Sequence, residues 1–217
     1  MNAPLATARI IAVFSLLLVG SMSCSTDSEP SIGYIGSEEF EEALTEFTLF
    51  AYQGAVEFDQ NARLLSKTEY SELTIALERG VKTASELQSI TSQLERLVPS
   101  VYAHPGDQHD RFELVAEAIR EGSEAELEFI RGLVDNIAKK NHLVLPFGEG
   151  RQVVSRIATC DPVGTLWHLV GTVAASTGLG SLVATAAVCP VCGGIAFASI
   201  AALGIGTAAW NLINHCG

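Results

Sequence analysis

Apolar and polar positions divide the chain into stretches with different rhythms. From residue 37 to about 140, apolar residues recur every three or four positions, the period of an amphipathic helix. Ser37 stands where an N-cap belongs, with Glu38, Glu39, Glu41 and Glu42 behind it at the positive end of the helix dipole. Phe40, Leu44, Phe47, Phe50, Ala51 and Val56 form that helix's apolar stripe. A second helical pattern covers about 68–97, through Leu73, Ile75, Ala76, Val81, Ala84, Leu87, Ile90, Leu94 and Leu97, with Gly80 dividing it. Pro99, Pro105 and Gly106 predict a loop. Helices resume over about 111–120 and 124–139, with Ser123 and Glu126 spaced as a capping box between them.

The rhythm then changes twice. His142 and Leu143-Val144-Leu145-Pro146-Phe147-Gly148, followed by Val153-Val154, favour extended or irregular chain over helix. Beyond them lie two apolar runs, about 162–188 and 193–215, separated by Cys189-Pro190-Val191-Cys192. Pro190 predicts a turn there, because proline interrupts a continuous helix. The two runs read as the antiparallel arms of a hairpin. Thr177-Gly178-Leu179-Gly180-Ser181 predicts a break in the first arm. The expected fold class is therefore all-α.

Charge sharpens this division. The net charge is −12, and residues 25–156 hold 24 acidic and 12 basic side chains. After Asp161 there is no Asp, Glu, Lys or Arg. An acidic surface disfavours nucleic acid, whose phosphates need clustered Lys and Arg, and gives no attraction to anionic lipid. An uncharged run of that length is covered by the rest of the chain, enters a bilayer, or is released as a membrane-seeking peptide. Each arm is long enough to cross a hydrocarbon core of about 30 Å. Trp167 and Trp210 near the open end have the placing of membrane-interface residues.

The first residues read as an export signal: Arg9, an apolar core over 10–20, and the small residues Ser21-Met22-Ser23 before Cys24. Cleavage there would leave Cys24 first and open to lipidation, although Ser21 stands where a lipoprotein signal favours Leu. The expected organisation is a signal peptide over 1–23, a flexible tether over 24–36, an acidic helical domain over 37–141, a linker over 142–159 and the apolar cysteine-containing segment over 160–217. The expected location is secreted, or on the cell envelope as a lipoprotein before processing. Lys139-Lys140, Arg151 and Arg156 flank or lie in the linker and are candidate processing sites for a trypsin-like protease; an ordered loop or edge strand with no processing is the competing expectation.

Cys160, Cys189, Cys192 and Cys216 remain after export, an even number that implies disulfides. A hairpin with its turn at Pro190 pairs Cys160 with Cys216 across the open end and Cys189 with Cys192 at the turn. Pairing Cys160 with Cys189 or Cys192 would instead require the first arm to fold back. The spacing of Cys189 and Cys192 also occurs in redox motifs, but no βαβ pattern accompanies it. Zinc would want a second pair at similar spacing, and haem attachment a His at 193, where Gly stands. His104, His109, His142, His168 and His215 form no ligand motif. With no phosphate loop and no nucleophile elbow, the sequence predicts no catalytic residue, metal site or cofactor, and no enzyme.

Gly36-Ser37-Glu38-Glu39-Phe40, Leu49-Phe50 and Gly54-Ala55-Val56, with the acidic-to-lysine stretch 124–140, resemble the sporulation-delaying protein C family of bacterial toxin precursors. The shared layout is an export signal, a helical pro-region and a C-terminal apolar peptide with a disulfide. The resemblance implies a secreted antimicrobial peptide that inserts in a target cell membrane and collapses its proton gradient. It also implies a separate immunity protein, and that Cys189 and Cys192 are the family's disulfide pair. The family pair is more widely spaced and nearer the peptide's start, and Cys160 and Cys216 are additional. The expectation is an exported, membrane-active toxin precursor, released by a processing protease. The alternative is a cell-envelope lipoprotein whose helical interaction domain keeps an unreleased tail. A third is a small helical protein whose tail encloses a lipid-like ligand.

Overall fold

A computed structural model describes residues 34–81, 84–103, 109–145, 162–184 and 190–216. Among the described residues every regular element is helical: α1 (Glu38–Asn61), a 3-10 turn (Ala62–Leu64), α2 (Lys67–Arg79), α3 (Ala84–Leu97), α4 (Pro99–Ala103), α5 (His109–Glu121), α6 (Glu124–Lys140), α7 (Pro162–Ala184) and α8 (Pro190–Cys216). The all-α expectation holds. All of these lie in one unit, Ile32–Gly217, so the acidic helices and the tail share a core.

Local chemistry starts the helices. The Ser37 hydroxyl accepts from the Phe40 N–H at 3.2 Å, as its N-cap position predicts. Ser123 and Glu126 form the predicted capping box, and Ser66 and Glu69 form a second at the head of α2. Gly80 has φ +70°, a left-handed value open to glycine, and it separates α2 from α3.

Pro99 opens α4 where a loop was expected. Proline suits the first helical position because it has no N–H to leave unpaired. The Glu57 carboxylate accepts the next N–H, from Ser100, at 3.0 Å. Ile75, expected in the core, is exposed. Ile75 lies about 200° round the helix from both Leu73 and Leu77, the buried residues of α2, so it faces away from the core. Residues 143–145 are irregular, as expected. Leu143 and Leu145 pack against the core, and the Tyr52 hydroxyl donates to the Val144 carbonyl at 3.0 Å.

The break expected at 177–181 does not occur, since α7 runs unbroken to Ala184. A break would leave backbone N–H and C=O groups without their helical partners. Continuing the helix satisfies them. Pro190 likewise opens α8 as its first residue, so the turn expected across Cys189-Pro190-Val191-Cys192 ends before Val191.

α7 is about 35 Å long and α8 about 40 Å. Only residues 185–189 join them, a reach of under about 20 Å. Side-by-side parallel packing would need a longer return, so the arms are antiparallel. They cross closely at Gly204. A Cβ there would lie 2.7 Å from Ser176 Oγ, 2.9 Å from Ser176 Cβ and 3.1 Å from Val173 Cα.

Candidate functional site

The hairpin is the candidate site, and its second arm lies at the centre of the bundle. Residues 197–206 of α8 are buried without interruption. Ten consecutive residues span nearly three turns, so every face of the helix is covered. Ordinary amphipathic helices bury one stripe; a helix apolar all round belongs in a protein interior or a bilayer.

The acidic helices supply the cover. Gly206 nests against Phe58 of α1, Leu77 of α2 and Leu94 of α3, where an added Cβ would lie 3.3 to 3.6 Å from their carbons. Gly54 of α1 lets Ile205 approach: a Cβ at Gly54 would be 2.7 Å from Ile205 Cδ1. Phe112 of α5 packs near Phe197 at 6.5 Å between ring centroids, and edge-on to Phe47 at 5.4 Å. Tyr102 of α4 faces Ser199; burial pushes its phenol up, and the Ser199 hydroxyl pulls it back. Outside, the jacket is cross-braced by ion pairs: Arg111 of α5 reaches Glu42 at 3.1 Å and Glu46 at 3.0 Å on α1, and Arg96 of α3 reaches Glu69 of α2 at 2.8 Å. These pairs are substantially exposed and screened by solvent, so each adds little to stability.

The first arm, α7, packs against α8, α5, α6 and α1. Three of its hydroxyls bond back onto their own helix. Thr172 donates to the His168 carbonyl at 2.7 Å, Ser176 to Thr172 at 2.8 Å and Thr177 to Ala174 at 2.8 Å. Arg120, in the last turn of α5, donates to Thr177 Oγ1 at 3.1 Å, to the Ala174 carbonyl at 3.4 Å and to Glu113 at 2.9 Å.

Trp210 is partly buried and meets Tyr70 of α2 edge-on at 5.8 Å, and Trp167 is partly buried against the core. Both pack on protein here. Cys192 lies in the first turn of α8 and Cys216 at its end; Cys24, Cys160 and Cys189 lie outside the described residues, so the disulfide pairs do too. Lys139 and Lys140 are exposed at the end of α6, while Arg151 and Arg156 lie outside the described residues. Among the described residues, no helix is long and apolar enough to cross a membrane. A groove of about 280 Å³ opens between α2 and α3, lined by Ile75, Arg79, Val81, Glu86 and Ile90 among others, and none of its lining comes from the tail.

Phe58 and the Ser66–Glu69 box went unread in the sequence. Both carried signals: Phe58 continues the α1 stripe, and Ser66-Lys67-Thr68-Glu69 has capping-box spacing. No family model, curated protein or solved structure matches the chain.

Proposed function

We propose that this chain is the exported precursor of a membrane-active antimicrobial protein of the kind the sporulation-delaying protein C resemblance implies, kept in a water-soluble state by a helical jacket. The observation that carries the reading is the enclosure of α8. An uncharged helix apolar on all faces is covered by helices that keep their carboxylates outside. Such a helix accepts protein or lipid as its surroundings with little difference in solvation.

The back-bonded hydroxyls of α7 support the same reading. A hydroxyl already paired with its own backbone loses less on leaving water than a free one. The two arms would enter as a pair, with Ser176 at the Gly204 crossing facing the partner helix. The missing charges remove the largest barrier to entry.

The second reading, a cell-envelope lipoprotein with an unreleased tail, draws on the same enclosure, since a tail so covered can stay where it is. Mass spectrometry of culture supernatant separates the two. A cleaved fragment beginning between Lys140 and Cys160 and ending at Gly217 is the expected result, with leakage of dye-loaded vesicles by that fragment. Recovery of the whole chain on cells, with lipid on Cys24 and no released fragment, would overturn the toxin reading in favour of the lipoprotein.

A further inference from the structure

Two contacts of α7 differ in kind. Against α8 it is held by shape: the Gly204 crossing brings the Ser176 side chain and Val173 Cα within distances that leave no room for even a methyl group. Against α5 it also carries a charge-assisted polar contact at the edge of the bundle. The Arg120 guanidinium bridges Glu113, on its own helix, to Thr177 Oγ1 and the Ala174 carbonyl on α7. The Arg120 side chain is 22% exposed, whereas Thr177 is 2% exposed.

These observations have a directional consequence. Losing the α7–α8 crossing opens a gap in the core that water cannot fill favourably. Losing the Arg120–Thr177 contact places a guanidinium in water while it keeps its Glu113 partner, and strands only a hydroxyl already paired to Ala174. Of these two contacts, the polar one between α5 and α7 is therefore the one lost at lower cost.

We propose that Arg120 is an autoinhibitory latch. It holds α5 over α7, and its release exposes the first arm while α7 and α8 stay locked together. The inference rests on the proposed function for its purpose, since the exposed arm is what would meet a membrane, but its structural content is independent.

Hydrogen–deuterium exchange on the full chain tests it, comparing wild type with Arg120→Ala, Arg120→Lys and Thr177→Val. The expected result is a selective rise in exchange over α5 and residues 164–177, on the order of tenfold for R120A as for loss of a charged hydrogen bond. R120K should fall between R120A and wild type, and α1 to α3 should be unchanged. T177V keeps the side-chain shape and removes the acceptor, so it carries the test if R120A fails to fold. Unchanged exchange in T177V, or a rise spread evenly over all helices, would overturn the latch. Leakage from zwitterionic vesicles is the second readout and should quicken in R120A and T177V. Selective exchange with no leakage from any variant or from the released peptide would leave the latch standing and sink the membrane-active reading. Leakage from the wild type with no selective exchange would do the reverse.

Discussion

Replacing Gly204 by alanine sets two effects against each other. Alanine is the better helix former by about 1 kcal/mol, so helix propensity alone predicts stabilisation. The crossing with α7 predicts the opposite. The new methyl would stand 2.9 Å from Ser176 Cβ and 3.1 Å from Val173 Cα, against about 3.5–4.0 Å for relaxed carbon contacts. Ser176 Oγ can rotate away; the other two atoms move only with the α7 backbone. Relief requires the helices to part by up to about 1 Å, which loosens the contacts above and below the crossing. Overpacking of a filled core costs about 1–3 kcal/mol, and contact loss along two buried helices places this case at the upper end. The net expectation is destabilisation of about 1–2 kcal/mol, a fall in Tm of a few degrees for a unit of this size.

Gly171 and Gly132 are the controls. Nothing lies within 4 Å of a Cβ at either, so Gly171→Ala in α7 and Gly132→Ala in α6 should each stabilise by up to about 1 kcal/mol. Urea unfolding followed by circular dichroism and tryptophan fluorescence is the assay. Both tryptophans lie in the hairpin, so fluorescence reports the tail while dichroism reports every helix. A midpoint for G204A at or above that of wild type would refute the close crossing, and with it the packing of the hairpin described here.

Ile205→Asp puts a carboxylate where α8 meets Gly54 of α1; it should cost more than about 3 kcal/mol and unfold the acidic helices with the tail, whereas an unchanged dichroism melt would show that the jacket folds without α8. The Glu69 carboxyl is held down to about 2 by the Ser66 hydroxyl and N–H and by Arg96, and the Ser123 hydroxyl and N–H hold Glu126 low. Carboxylates depressed in the folded state stabilise it above their ordinary value of 4.5 and lose that contribution as pH falls below it, toward about 2 for Glu69. Acid titration of helicity should therefore show a loss beginning below pH 4.5 that is smaller in Glu69→Gln and Glu126→Gln; equal acid sensitivity in the variants would remove the capping boxes as its source. Trypsin cleavage after Lys140 should leave two fragments that co-elute under native conditions, because the contacts between them are buried and non-covalent; separation without denaturant or detergent would count against the shared core.

Helix caps were the most legible part of the sequence, because a cap is a local event. Ser37 and Ser123 needed only their own next three residues. Gly80 was legible for the same reason, whereas Ile75 was misplaced because it lies on the opposite side of α2 from Leu73 and Leu77. The glycines after Thr177 misled in the other direction. In isolation they weaken a helix, but an interruption would also give up the backbone hydrogen bonds that a continuous α7 keeps. Least legible was the destination of α8. Its composition is equally suited to lipid and to protein, and nothing local distinguishes them. The deciding information lay elsewhere, in the number of apolar stripes left over on the acidic helices. Phe58, Leu77 and Leu94 sit on three different helices and converge on one glycine of the tail.

That convergence bears on how such a tail could ever act. If the acidic helices formed a complete domain with its own core, cutting the linker would free the hairpin. Here the hairpin is much of the core. Withdrawing α8 would uncover Phe58, Leu77 and Leu94 together, along with the faces that hold Phe197 and Trp210. Each such side chain loses about 1.5–3 kcal/mol on full exposure to water, so together they cost about as much as the whole stability of an ordinary domain. Cleavage alone therefore leaves the tail where it is. Release needs a second apolar environment that takes the hairpin as it leaves, and that also receives the stripes it leaves behind. A membrane surface meets both requirements: the hairpin can bury itself, and amphipathic helices can lie with their apolar faces down. Their carboxylates would oppose an anionic surface, so a neutral bilayer is the better acceptor for the jacket and the hairpin alike.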